Sequence, residues 1–392
     1  MKILQLSLSY APNWKDGGPP RIMYDYAVQL ALLGHEITVL TPDANKAKSE
    51  QCWPGFPRGL NVNYFRKYND WRRYFYFDFS YQELYVFFKK NQKNIDIIHL
   101  SQSRSLVNIV ALKASKDFGI PIALSSFGSL PRRGGLLKLI YDKLFIFPLI
   151  RHSKLLLGQT ENELSVYKKF GGQSSSLKLL PLAVDSNECP APSPSEKDKF
   201  LSTYDIPEGN KLFLFLGRLH PSKGVPFLVR AFSKVYTDNK NLTLAIVGND
   251  EGVEGEVRSL SKELGIEAGI RICGPLYGAD RWHAYRAADV YIISPEIYEE
   301  TALASIEALA CGTPVITNTR ADVPWLKEYE AGEVLKAGGI SSLANAMETY
   351  ANFSDSEMNE KKVKAKLLFK EKFEIGTVSN RLEAYYKEVI EH

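Results

Sequence analysis

Residues 211–224 read KLFLFLGRLHPSKG, and the fold turns on how that stretch is read. Five of its first six residues are apolar, an unbroken run of the kind found in strands covered on both faces, as in parallel sheets. Gly217 ends the run, and Arg218 and Lys223 follow within one loop. In open α/β sheets ligands bind outside the carboxyl ends of the strands, so this pair stands at a candidate site. A guanidinium offers a planar fork for two phosphate oxygens and an ammonium a compact point charge, a combination suited to a diphosphate.

Outward from this strand the second half alternates. The helix-like VPFLVRAFSKVY is followed by LTLAIVG, GEVRSLSKELG, IRICG, DRWHAYRAA, DVYIIS, ALASIEALACG and TPVITN, which predicts a doubly wound parallel sheet. The first half shows the same rhythm in MKILQLSL, RIMYDYAVQLALLG, HEITVLTP, IDIIHL, SLVNIVALKASKDFG and PIALSSFG, before KLLPLAV closes it. Between the halves, DSNECPAPSPSEKDK is polar and rich in proline and serine, as linkers are. The expected organisation is a first domain over residues 1–183, a linker over 184–199, a second domain over 200–369, and a helix over 370–392 that returns to the first domain. A chain of 392 residues fits two such domains.

Composition narrows the function. With 45% hydrophobic and 24% charged residues the chain is globular, which excludes a disordered polymer. Its four cysteines, Cys52, Cys189, Cys273 and Cys311, lie far apart with no CxxC and no Cys/His cluster. That pattern points away from a metal site or a disulfide framework and toward a reduced, cytoplasmic protein. MKILQLSLSY lacks the apolar core of a cleavable signal and reads as a first strand; no apolar run approaches the roughly 20 residues of a membrane span. Net charge is +4 but uneven: residues 1–183 hold 25 Lys and Arg against 13 Asp and Glu, and the remainder 24 against 32. A basic first half suits an anionic partner, whether a membrane surface, a phosphorylated acceptor or nucleic acid, and equally a solvated surface without one. No GxGxxG follows a strand, and neither GxxxxGK[ST] nor GxSxG occurs.

Two further loops join the first. CGPLYG (273–278) brings Gly274 and the apolar Leu276 to the same strand ends, where they could grip a planar base. SPEIYEETALASIEALACGTPVI (294–316) places Glu296, Glu299 and Glu300 before an Ala-rich helix expected from near Thr301. The free N–H groups of such a helix end, near Ala302 and Leu303, form an anion site. Glu307 lies inside that helix among Ile306, Ala308 and Leu309, and a carboxylate so placed needs a partner: ribose hydroxyls, a neighbouring arginine or a backbone group.

GR(x)4K followed by E(x)7E resembles the nucleotide-sugar-dependent, retaining glycosyltransferases of family 4 (glycosyl transferases group 1), which have the GT-B fold. YAPNWKDGGPP and GHEITVLTP match the same family, so the resemblance spans most of the chain. It implies two Rossmann-like doubly wound domains facing a deep cleft, with a C-terminal helix packing back on the first. It implies transfer of a sugar, without a metal or other cofactor, from a UDP- or GDP-linked donor to a glycan, polysaccharide or lipid-linked acceptor of the cell-envelope type. Arg218 and Lys223 would neutralise the diphosphate, Glu299 would contact the donor sugar, Ala302 and Leu303 the phosphates, and Glu307 the ribose. Gly17 and Gly18 would bring backbone against the donor, and Phe127 would lie on the acceptor side; His99, in IDIIHL, fits a family position there and equally an ordinary buried or edge histidine. The chain departs from the family in three places: SSFGSLP puts Phe127 where relatives carry a polar residue, Glu299-Glu300-Thr301-Ala302 replaces E(x)FG, and Leu182-Ala183-Val184-Asp185 replaces NGVD.

WRRYFYFDFSYQELYVFFKK and SLPRRGGLLKLIYDKLFIFPLIRHSK interleave apolar and basic residues, a pattern suited to peripheral contact with an anionic membrane at the inner face of the cell, or to ordinary packing of a helix on a sheet. Nucleic acid is not expected as a partner, because the donor residues already account for the second half. Two alternatives remain open: a nucleotide-sugar epimerase of the same architecture, and a sugar-nucleotide-binding protein whose catalysis is impaired at Phe127.

Overall fold

The apolar runs become the inner strands of two parallel sheets. The structure, a computed structural model, describes residues 1–11, 18–42, 56–65, 81–130, 135–189 and 194–391. These divide into two units, Met1–Pro181 with Ile375–His392, and Leu182–Glu374.

In the first unit β1 (Lys2–Leu6), β2 (Glu36–Pro42), β3 (Leu60–Phe65), β4 (Ile97–Ser101), β5 (Ile122–Ser125), β6 (Leu155–Gly158) and β7 (Leu177–Leu179) form a seven-stranded sheet in the order β3-β2-β1-β4-β5-β6-β7. Every pairing in it is parallel. Side chains such as Leu4, Leu100, Leu124 and Leu156 carry the core into the helices Leu106–Phe118 and Tyr81–Asn91 through Val110, Leu84 and Phe88. The helix Leu106–Phe118 begins at Ser105, whose side chain accepts from Val107 N–H, and stops at Gly119 in the left-handed conformation.

The C-terminal helix Ile375–Ile390 belongs to this unit. Its amphipathic face buries Val378, Leu382 and Tyr386. Tyr386 Oη lies 2.7 Å from His99 Nδ1, and His99 Nε2 lies 2.8 Å from Ser125 Oγ, so both ring nitrogens are engaged and the imidazole has no exposed surface. Burial pushes its pKa down to about 3. A histidine that is neutral when folded and protonates near 6.5 when unfolded adds stability above pH 6.5 and loses it as pH falls toward 3. Replacing His99 with Gln is therefore expected to cost about 1–3 kcal/mol at pH 7.5. The gap to wild type should close by up to about 1.4 kcal/mol per pH unit below 6.5, as read by denaturant unfolding across that range. A gap independent of pH would refute the buried, neutral assignment.

In the second unit β8 (Lys211–Leu216), β9 (Leu242–Val247), β10 (Ile270–Gly274), β11 (Val290–Ile292), β12 (Val315–Asn318) and β13 (Gly332–Leu335) form a six-stranded parallel sheet in the order β10-β9-β8-β11-β12-β13. The order reverses between β8 and β11, and at such a switch point the loops leaving the two strands diverge and open a crevice.

Three details differ from the sequence reading. The described residues of the stretch 184–199 are not a free linker: they belong to the second unit, where Val184 N–H donates to Phe373 O at 3.0 Å and Pro194–Thr203 is helical. Arg286 Nη1 holds Glu196 at 2.7 Å, which ties that helix down. The passage back to the first unit falls at Ile375 rather than at 370, after a π-turn over Phe369–Phe373. The edge strands β3 and β13, absent from the sequence reading, are short and partly polar, so neither presents an unbroken apolar run.

Candidate active site

At the end of β8 the chain turns through a sequence suited to each position. His220 accepts from Ser222 N–H at 3.1 Å, Pro221 opens a single 3₁₀ turn, and Gly224 closes it at φ +71°. This turn is pinned on one side by Leu219 N–H donating to Asn249 O at 2.8 Å. On the other side it packs so closely on the loop after β11 that a Cβ on Gly224 would sit 2.2 Å from Ser294 O. Gly248 does the same between strand ends, where a Cβ would sit 1.7 Å from Gly217 O.

The loop after β11 is equally fixed. Asn318 Nδ2 donates to Ser294 Oγ at 3.0 Å and Pro295 O at 3.1 Å, Glu299 N–H to Arg320 O at 2.8 Å, and Thr301 Oγ1 to Asp322 O at 2.8 Å. The result brings Lys223 Nζ into contact with Glu299 Oε1, both side chains being mostly buried. Arg218 stands apart from that pair: its side chain is 62% exposed and its guanidinium meets Glu251 at 2.8 Å, an exposed ion pair with little to hold it together.

The helix expected from Thr301 spans Leu303–Ala310, with Ala302 as an extended N-cap that offers no side-chain acceptor. Its first N–H groups are therefore not capped by a side chain. Glu307 is 13% exposed, and its partners come from the helix Ala279–Ala287: Tyr285 Oη donates to Oε2 at 2.9 Å, and Arg281 Nη2 lies 3.4 Å from Oε1. Tyr285 is buried, which with Glu307 beside it holds the phenol well above its usual range and keeps it a donor. Tyr291 of β11 is raised likewise, by burial and then by the charges of Glu299 and Glu307, which marks it as lying near both carboxylates. Gly274 ends β10 at φ +70°, and Leu276 beyond it is partly exposed.

The second unit thus assembles Lys223 with Glu299 and sets Glu307 among its own partners, while Arg218 remains on the solvent side of the same strand ends. In the first unit Gly18 opens the helix Gly18–Leu32 with no atom within 4 Å of where a Cβ would stand; Gly17 lies outside the described residues, as do 71–80 and 131–134. Phe127 takes φ +48°, in a loop held by Glu163, whose Oε1 accepts from Gly128 N–H at 2.7 Å and Oε2 from Gln159 N–H at 2.9 Å. Burial raises that carboxyl to about 7. His99, expected on the acceptor side, is instead interior, for the reasons given above.

Arg281, Tyr285, Glu251 and Glu163 escaped the sequence reading. Only Arg281 and Tyr285 carry a signal there, an (i, i+4) pair on DRWHAYRAA.

Residues 16–188 match the family model described as Glycosyltransferase Family 4, and residues 196–367 that of Glycosyl transferases group 1. D-inositol 3-phosphate glycosyltransferase of Corynebacterium glutamicum is 32% identical over 150 residues, 37% of this chain and 36% of that protein. Lipopolysaccharide 1,2-N-acetylglucosaminetransferase of Salmonella typhimurium is 25% identical over 205 residues, 49% of this chain and 52% of that protein. The chain spans about a third to a half of the length of the curated relatives it matches. Among solved structures, Anabaena HepE in complex with UDP superposes with a TM-score of 0.78 at 18% identity, covering 99% of this chain and 100% of that one. The two Rossmann-like units are those of the GT-B fold.

Proposed function

We propose that this chain, whose two halves belong to the Glycosyltransferase Family 4 and Glycosyl transferases group 1 families, moves a hexose from a nucleotide diphosphate sugar to a glycan, polysaccharide or lipid-linked acceptor, with retention and without a metal. The observation that carries the reading is the Lys223–Glu299 contact at the switch point of the second sheet. A cation and a carboxylate held together there match the two ends of one bond: the diphosphate that leaves and the sugar hydroxyls that must be oriented. HepE, in complex with UDP and with UDP-glucose, supports a uridine donor for this chain too.

In this mechanism Lys223 and Arg218 neutralise the charge that develops on the diphosphate as the bond from the anomeric carbon to the phosphate oxygen breaks. Exchanging the exposed Glu251 for a phosphate costs Arg218 little. The uncapped N–H groups at Leu303 add to the same field. Glu307, oriented by Tyr285 and Arg281, accepts from the ribose hydroxyls. The acceptor hydroxyl attacks from the face the diphosphate leaves, and its proton passes to the departing phosphate oxygen.

The test is nucleoside diphosphate release from a panel of UDP-, GDP- and ADP-sugars, with donor-only incubations analysed for epimerised sugar. Release with one donor, abolished in Glu299→Ala and unaffected by EDTA, is expected. An epimerised nucleotide sugar with no release supports the epimerase instead, and donor binding without turnover in the presence of acceptors supports a binding protein.

The lipid-linked form of the acceptor draws on a second observation. Along Leu136–Ile146 the chain exposes Leu137 at 84%, Leu136 at 71% and Leu144 at 60%, with Lys138 and Lys143 between them. Apolar side chains this exposed beside lysines fit the interface of an anionic bilayer. No helix among the described residues is long and apolar enough to cross a membrane. Sedimentation with vesicles of anionic lipid should carry the protein down. Joint Leu137→Ser and Leu144→Ser substitution should weaken that binding by at least about tenfold, since each buried leucine contributes roughly 1.5–3 kcal/mol. Equal binding by the variant would remove this surface from the account.

A further inference from the structure

The helix that carries Glu307 ends at Cys311, and the sulfur of Cys311 lies 3.8 Å from that of Cys189, a residue 122 positions earlier in the chain. Arg286 Nη2 lies 2.8 Å from Cys189 Sγ, while its Nη1 binds Glu196, which His283 also meets at 3.2 Å. Both cysteines are half-buried residues rather than core ones. A thiolate accepting from a thiol and a guanidinium is the state that attacks electrophiles. The hydrogen bond from Cys311, and secondarily Arg286, bring Cys189 down to about 6 against the opposing effect of burial, whereas Cys311 is driven well above its usual range. Cys273, which burial pushes up to about 12, has no such surroundings.

We propose that Cys189 and Cys311 form an oxidisable dithiol, a modification site for hydroperoxides that regulates the nucleotide end of the second unit. The Cys189 thiolate attacks the O–O bond and takes one oxygen as sulfenic acid, and the other oxygen leaves as alkoxide or hydroxide and is protonated. Cys311, losing its proton, then attacks that sulfur; the S–O bond breaks, water leaves, and a disulfide forms. Two thiols supply two electrons and two protons, and one hydroperoxide becomes one alcohol, or water, plus one water.

The consequence follows from what each cysteine adjoins. Glu188 lies 3.3 Å from Arg281 Nη2, the same atom that faces Glu307, and Cys311 N–H donates to the carbonyl of Glu307 at 3.2 Å. A disulfide requires the sulfurs to close from 3.8 Å to about 2.05 Å. That closure draws Glu188 and the helix end together and removes the thiolate from Arg286, so it shifts both partners of Glu307. This step rests on the proposed role of Glu307 at the nucleotide.

The test treats the reduced full-length protein with stoichiometric hydrogen peroxide, maps disulfides by mass spectrometry after alkylation, and titrates UDP and GDP by calorimetry before oxidation, after it, and after dithiothreitol. Wild type and Cys273→Ser are expected to form the Cys189–Cys311 disulfide. Cys311→Ser should instead accumulate a dimedone-reactive sulfenic acid at Cys189, and Cys189→Ser neither product. Nucleotide affinity should fall on the order of tenfold on oxidation and recover on reduction. Absence of the disulfide, or a bond to another cysteine, overturns the dithiol. A disulfide that leaves affinity unchanged overturns the regulation. Failure of the reduced protein to bind either nucleotide counts against the proposed function, while the mass data still decide the dithiol.

Discussion

Lys223→Ala is expected to lower nucleoside diphosphate release by roughly 10²–10³-fold, about 2.7–4 kcal/mol of transition-state stabilisation, with little change in apparent donor affinity. The effect comes from where the ammonium is held. Glu299, Gly224 and the Asn318-anchored loop fix it at the switch point before any donor arrives, so its charge is preorganised for the leaving phosphate. An interaction strengthened only as the bond breaks affects kcat more than binding. Arg218→Ala should cost less, because its side chain is 62% exposed and must be recruited from Glu251. A variant at Lys223 with unchanged kcat would show that the cation merely balances Glu299, and the proposed chemistry would have to be abandoned.

Gly224→Ala is expected to be nearly as damaging by a different route. A left-handed alanine costs about 1–2 kcal/mol by itself, and its Cβ would stand 2.2 Å from Ser294 O. The loops after β8 and β11 must then separate, which parts Lys223 from Glu299. We expect a loss of about 2–4 kcal/mol of stability together with loss of turnover. The control is Gly255→Ala in the helix Glu254–Glu263, where nothing lies within 4 Å of the added carbon and a neutral or slightly stabilising effect follows. Thermal unfolding of the two variants, with turnover measured on each, reads the difference. Similar behaviour by both would refute the tight packing of the turn.

The sequence made legible what short-range chemistry decides. KLFLFLG is a buried strand because Leu212–Leu216 is an unbroken apolar run, and GRLHPSKG is a turn because His220, Pro221 and Gly224 each suit one position of it. The sequence marks Glu307 as a carboxylate among apolar residues in need of a partner, without saying which. Arg281 and Tyr285 reach it from a different helix, and only the sheet order β8-β11-β12 brings those helices together. For the same reason the sequence leaves His99 open between an acceptor-side and a buried position, and the structure makes it interior: the residue that closes over it, Tyr386, lies 287 positions away on the returning helix. Edge strands and the boundary at Ile375 were missed because polar, short segments carry no periodic signal.

Retention is decided by the anomeric configuration of the first sugar released or transferred from an α-linked UDP-hexose, followed by proton NMR before mutarotation. An α product appearing in step with UDP is expected. A β product, or an epimerised nucleotide sugar with no UDP, would contradict transfer with retention.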